Sequence, residues 1–182
     1  MGLAIVKNLI DLMGGTIKVE STLGKGTVFV VNICFKLAKS HLDIDVDQEK
    51  LIFKNTRLLV VEDNDLNYEI IYEILSNLGL VLERASNGLE AYEKVNSSII
   101  GYYDLILMDI QMPVMNGYDA TKKIRSISDK RLANIPIIAM TANAFTEDIE
   151  LALSSGMNAH VSKPIEFDKL TQTICKVLNI EE

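Results

Sequence analysis

Residues 104–120 read DLILMDIQMPVMNGYDA. Leu105, Ile106, Leu107 and Met108 form an unbroken apolar run that closes on Asp109. A strand with one wet face alternates apolar and polar residues; an unbroken run is what a strand covered on both faces requires. Residues 117–127 then read as a helix. A doubly buried strand that ends in a carboxylate and feeds a helix is a unit of a layered α/β domain.

The same unit repeats on either side. RLLVVE (57–62) and IPIIAMT (135–141) are two further apolar runs, and VLERA (81–85) and HVS (160–162) read as shorter strands. Helical spacing fills the intervals. Residues 65–78 place Leu66, Ile70, Ile71, Ile74, Leu75 and Leu78 on a core face, and Gly79 ends them. Residues 88–98 centre on Leu89, Ala91, Tyr92 and Val95, residues 145–154 form another helix, and residues 166–178 carry Leu170, Ile174, Val177 and Leu178. Strands alternating with helices predict a parallel sheet covered on both faces, with right-handed crossovers.

The beginning of the chain is built differently. Residues 2–13, GLAIVKNLIDLM, have helical spacing with a wide apolar face, and Gly14-Gly15 stops them. TIKVES (16–21) alternates Ile17 and Val19 with polar residues; LGKG (23–26) is a turn and TVFVVNICF (27–35) a strand. Helix, strand, turn and strand are too little chain to close a core. Residues 38–54 change character again: Asp43, Asp45, Asp47 and Glu49 alternate with Ile44 and Val46, as in a solvated linker. A second reading makes that segment a short edge strand or docks it on a neighbour through Ile44, Leu51, Ile52 and Phe53. The expected organisation is therefore 1–37, an acidic linker at 38–54, and an α/β domain at 55–182.

The chain has 182 residues, with 18 basic and 25 acidic side chains and a net charge of −7. Residues 1–54 are close to neutral at net +1 and residues 55–182 carry net −8, which argues against nonspecific nucleic-acid binding and suits a protein that gathers divalent cations. Two cysteines, Cys34 and Cys175, make neither a disulfide framework nor a zinc site, and suit a reducing cytoplasm. No apolar run approaches the ~18 residues of a membrane span, and no signal peptide opens the chain.

In an open α/β sheet, ligands bind beyond the carboxyl ends of the strands. Those ends carry Glu62 and Asp63, Asp109, Thr141 and Lys163. Crowded carboxylates repel unless a cation joins them, and hard oxygen ligands without His or Cys point to Mg²⁺ or Mn²⁺. Asp109 can attack phosphorus to form an acyl phosphate. Lys163 and the metal can neutralise the transferring group, and the Thr141 hydroxyl can donate to it. Asp65, at the start of the first helix of this domain, reads as an N-cap.

These residues lie in LLVVEDNDLN (58–67), LILMDIQMPVMNGYDA (105–120), IIAMTANAF (137–145) and HVSKPI (160–165), and over residues 57–178 the chain resembles a response-regulator receiver domain. The resemblance implies a flavodoxin-like, doubly wound, five-stranded parallel sheet of order 2-1-3-4-5 with five helices. It implies Asp109 as acceptor of a phosphoryl group from a phosphohistidine, on a histidine kinase or a histidine phosphotransfer domain. Glu62, Asp63, Asp109 and the backbone carbonyl of Gln111 would hold Mg²⁺, Thr141 would move toward the phosphoryl group, and Lys163 would pair with it. Such a domain promotes its own aspartyl phosphorylation and dephosphorylation. His160 stands where many receivers carry Tyr or Phe, which makes it a candidate switch residue with a pH-sensitive side chain.

GLAIVKNLIDLMGGTIKVESTLGKGTVFVVNI (2–33) resembles the end of a histidine-kinase catalytic domain. In that family a GxGLGLAIV box leads into this helix; here the sequence begins at Met1-Gly2-Leu3, so no ATP-dependent kinase activity is expected of this stretch. Kinase end followed by receiver resembles the C-terminal part of a hybrid sensor histidine kinase, placed in the cytoplasm or at the cytoplasmic end of a membrane-bound sensor. Apolar Ile5, Leu9, Ile17, Val28 and Val30 are expected to be exposed and to be covered by docking or self-association. An aspartyl-phosphate hydrolase would need a second Asp two residues after the nucleophile, where Gln111 stands. A binding-only pseudo-receiver would lack one of the acidic pair, Thr141 or Lys163, all of which are present.

Overall fold

The computed structural model describes residues 2–35, 53, 55–141 and 146–180. The chain divides into two compact units, Met1–Ile44 and Asp45–Glu182.

In the first unit, helix α1 (Gly2–Leu12) is followed by strands β1 (Thr16–Thr22) and β2 (Gly26–Asn32). The helix ends in a left-handed turn: Gly14 has φ +69°, and the Gly15 amide bonds back to the Ile10 carbonyl at 2.8 Å. β1 and β2 pair antiparallel, from Thr16 opposite Asn32 to Thr22 opposite Gly26. The second strand stops three residues earlier than the β-branched run suggests, because β1 offers no partner beyond Thr16. Gly15 passes so close to β2 that a Cβ there would lie 2.6 Å from the Asn32 carbonyl oxygen. Val19, expected to point inward, is 54% exposed, and Leu9, Val28 and Val30 are exposed as well. Ile17 is half-buried. Among the described side chains of this unit, only Ile10 is buried.

The second unit runs β3 (Arg57–Val61), α2 (Asp65–Ser76), β4 (Val81–Ala85), α3 (Gly88–Ser97), β5 (Leu105–Asp109), α4 (Gly117–Arg125), α5 (Lys130–Ala133), β6 (Ile137–Thr141), α6 (Thr146–Ser154), β7 (Ala159–Ser162) and α7 (Phe167–Leu178). The strands lie in the order β4-β3-β5-β6-β7, every pair parallel. This is the doubly wound sheet of order 2-1-3-4-5. The short α5, which the sequence pattern does not announce, is capped by the Asp129 side chain.

Side chains alternate across the sheet, so each apolar run feeds two cores. Leu58, Val60, Leu105, Leu107, Ile138 and Met140 face one side with α2 and α7; Leu59, Val61, Ile106, Met108, Ile137 and Ala139 face the other with α3 and α4. Phe53, at the end of the stretch read as linker, is 1% exposed in the first of these cores. Ile44, Leu51 and Ile52 lie outside the described residues. On α2, Ile71 and Leu75 are buried, but Leu66 and Ile70, expected on the same face, are 64% and 48% exposed. At about 100° per residue the apolar band of α2 is wider than the strip that meets the sheet.

Candidate functional site

Glu62 and Asp63 follow β3, Asp109 ends β5, Thr141 ends β6 and Lys163 follows β7, so all five lie at the carboxyl edge of the sheet. From β3 the chain passes to β4 on one side, and β5 lies on the other. The crevice between β3 and β5 is therefore a topological switch point. One oxygen from each of Glu62, Asp63 and Asp109 can be chosen so that all three lie within 4.8 Å of one another, a cluster that could hold a metal ion. The donors are all carboxylate oxygens, which fits a hard divalent cation.

The cluster is held at several points. The Lys163 ammonium donates to Glu62 Oε2 at 2.6 Å and to Asp109 Oδ2 at 2.7 Å. Glu62 is fully buried and Asp109 is 6% exposed. The second Glu62 oxygen, Oε1, accepts from the Asn64 amide at 3.2 Å and from Asn67 Nδ2 at 3.0 Å. The Gln111 amide approaches Asp109 Oδ1 at 3.4 Å. Burial raises the pKa of the Asp109 carboxyl. The hydrogen bond and charge of Lys163 oppose that without cancelling it, and the charge of Glu62 adds to it. Burial depresses the Lys163 ammonium, but its bonds to Asp109 and Glu62 outweigh burial and leave its pKa raised.

Glycine lets the next helix start close against the end of β5. A Cβ on Gly117 would stand 2.2 Å from the Asp109 carbonyl oxygen, and the Gly117 amide donates to the Ile110 carbonyl at 3.0 Å. Helix α4 thus begins against the backbone of the acceptor candidate. Thr141 is 2% exposed, and its carbonyl accepts from the Lys163 amide at 2.7 Å. His160, on β7 opposite Ala139 of β6, lines a groove with Ser162, Glu166 and Lys169 and does not belong to the cluster of Glu62, Asp63 and Asp109.

Asp65 proves not to be the cap of α2. Asn64 is: its side chain accepts from the Asn67 amide, while Asp65 pairs with Arg84 at 2.8 Å. Three groups that shape the site had no sequence signal of their own. Asn64 is hidden among neighbouring acids, Asn67 looks like an ordinary exposed helical residue, and Arg84 is a lone base within a strand.

A family description, the response regulator receiver domain, matches residues 58–175. Over 93% of its length the chain is 33% identical to the sensor protein EvgS of Escherichia coli, and over its whole length 32% identical to the aerobic respiration control sensor protein ArcB of the same species. It spans only 14% and 23% of those proteins. Among solved structures, the receiver domain of a sensor histidine kinase of Pseudomonas aeruginosa PAO1, with magnesium coordinated in its active site cleft, is 34% identical. It superposes with a TM-score of 0.62, covering 69% of this chain and 98% of that one. The Ssk1 receiver domain of Saccharomyces cerevisiae, solved with the histidine phosphotransfer protein Ypd1, is 31% identical with a TM-score of 0.62, covering 68% and 89%. Among the described residues, no helix is long and apolar enough to cross a membrane. With its sheet order, its strand-end carboxylates and lysine, and a sequence match across nearly the whole second unit, the chain belongs to the response regulator receiver domain family.

Proposed function

We propose that this chain is a phosphorelay receiver in which Asp109 accepts a phosphoryl group from the phosphohistidine of a kinase or a phosphotransfer protein. The observation that carries the reading is the buried Glu62–Lys163–Asp109 contact, at 2.6 and 2.7 Å, beside an acidic cluster open to a cation. In the transfer, the bond from phosphorus to the donor imidazole breaks and a bond from phosphorus to an Asp109 oxygen forms. The imidazole leaves as the neutral ring after taking up a proton. Lys163, already on Asp109 Oδ2, supplies positive charge where the phosphoryl oxygens arrive. Glu62, Asp63, Asp109 and the Gln111 carbonyl would hold Mg²⁺, which would supply the remaining charge neutralisation. The buried Thr141 hydroxyl would donate to a phosphoryl oxygen and, with His160 on the next strand, report its arrival. The magnesium-bound receiver and the phosphotransfer complex among the solved relatives support this assignment.

Residues 1–37 are, on this reading, the end of a histidine-kinase catalytic domain within a hybrid sensor that works in the cytoplasm. The exposed Leu9, Val28 and Val30 are then surfaces for the rest of such a domain or for a second copy. Light scattering tests self-association; a monomer at high concentration removes that version.

Intact mass after incubation with a small phosphodonor tests the acceptor. One Mg²⁺-dependent phosphoryl adduct is expected, absent from Asp109→Asn. An adduct that survives in Asp109→Asn overturns the assignment.

A further inference from the structure

We propose that Arg84 is a positioning residue for the acidic site: its guanidinium fixes the backbone from which Glu62 and Asp63 reach a divalent cation. The inference rests on the metal reading above and adds a residue outside the strand-end set.

Arg84 lies on β4 opposite Val60, one residue before the ladder ends. Its three nitrogens take three separate groups of the acidic turn. Nε donates to the Glu62 carbonyl at 3.1 Å, Nη2 to the Asp63 carbonyl at 3.3 Å and Nη1 to Asp65 Oδ1 at 2.8 Å. The Glu62 amide is bonded in turn to the Ala85 carbonyl at 3.0 Å, so β4 holds both peptide groups of Glu62. The guanidinium also lies over the Tyr68 ring, 4.9 Å from its centroid, a further contact with the first turns of α2. A rigid fork can hold two carbonyls and a carboxylate together; a lysine ammonium on a flexible stem does not reproduce that geometry.

The consequence concerns distance tolerance. Mg²⁺ demands oxygens at about 2.1 Å in near-ideal octahedral geometry. Asp63 is exposed, so the direction of its carboxylate depends on the peptide that carries it. Outer groups that orient metal ligands typically contribute about tenfold or more in metal affinity.

Charge alone predicts the opposite sign. A guanidinium near the site repels a dication, so removing it would tighten binding if Arg84 acted only through its field. The test is Mg²⁺ titration by calorimetry on the full chain, with thermal unfolding to verify the fold. Arg84→Met should weaken Mg²⁺ by about tenfold. Arg84→Lys, which keeps the charge and loses the fork, should weaken it comparably. Asp65→Asn, which keeps an acceptor for Nη1 and both carbonyl bonds, should weaken Mg²⁺ clearly less than Arg84→Met. Tighter or unaltered binding in folded Arg84→Met, or full recovery in Arg84→Lys, overturns the positioning role. A wild-type chain that binds no Mg²⁺ fails the metal reading itself, which is a different result.

Discussion

Two valine-rich strands have opposite fates. β2, GTVFVVN, is exposed at all seven positions; β3, RLLVV, is buried at four of five. Both have the β-branched, apolar character that favours an extended chain. β2 has one antiparallel neighbour, whereas β3 lies between β4 and β5 with helices over both faces. Local preference made both of them strands, and only covering layers made one of them a core. The same contrast separates the charges. Lys7 and Asp11 form an i,i+4 pair whose side chains are half in water, while Lys163 bridges two carboxylates that are nearly out of water. The first contributes little; the second stakes several groups on one another.

The strongest way to break the contrast is Phe53→Ala. Phe53 lies before the first strand of the second unit yet is 1% exposed in its core. Its truncation should lower stability by about 3–5 kcal/mol, measured by denaturant unfolding. A loss below about 1 kcal/mol would place the boundary of the unit after residue 53. Lys163→Met comes next. It strands Glu62 and Asp109 together and should destabilise the metal-free chain by about 3 kcal/mol, with Mg²⁺ returning part of the loss. Equal stability with and without Mg²⁺ would show that no cation replaces the ammonium.

Asp109→Asn should act the other way. In the folded chain the Asp109 pKa is raised above the ordinary 3.8. The folded state therefore holds this proton more tightly than the unfolded state does. The stability it contributes is present at low pH and is lost as pH rises through the raised value. At pH 7 without metal the variant should melt above the parent, and the difference should shrink in acid. A lower melting temperature would mean that the Lys163 contact outweighs burial. The smallest effect belongs to the first unit: Val30→Ser, at a position 43% exposed, should change stability by no more than about 0.5 kcal/mol. A larger loss would show that the face is covered in solution.

Much of the site was legible because its chemistry is local to strand ends. Apolar runs of β3, β5 and β6 mark buried parallel strands, and whatever follows each one must emerge at the same edge. That logic gathered Glu62, Asp63, Asp109, Thr141 and Lys163 at one edge; the order of the sheet came from the resemblance to receiver domains. Capping was legible only by type: Asn64, not Asp65, closes α2, because adjacent residues with similar capping preference are separated only by backbone conformation. Leu66 and Ile70 were read as core from spacing, yet they face solvent, because period alone does not say how wide a strip the sheet covers.

What the sequence determined by itself was therefore the alternation of elements, the parallel sheet and the acids and lysine at its carboxyl edge, since periodicity and strand direction are properties of the chain. The tertiary structure decided the rest. It brought Lys163 within 2.7 Å of Asp109 across 54 residues, set Arg84 beneath the acidic turn, and seated Phe53 in a core whose first strand begins after it. Each of these depends on which elements become neighbours, and contact between residues far apart in the chain leaves no period to read.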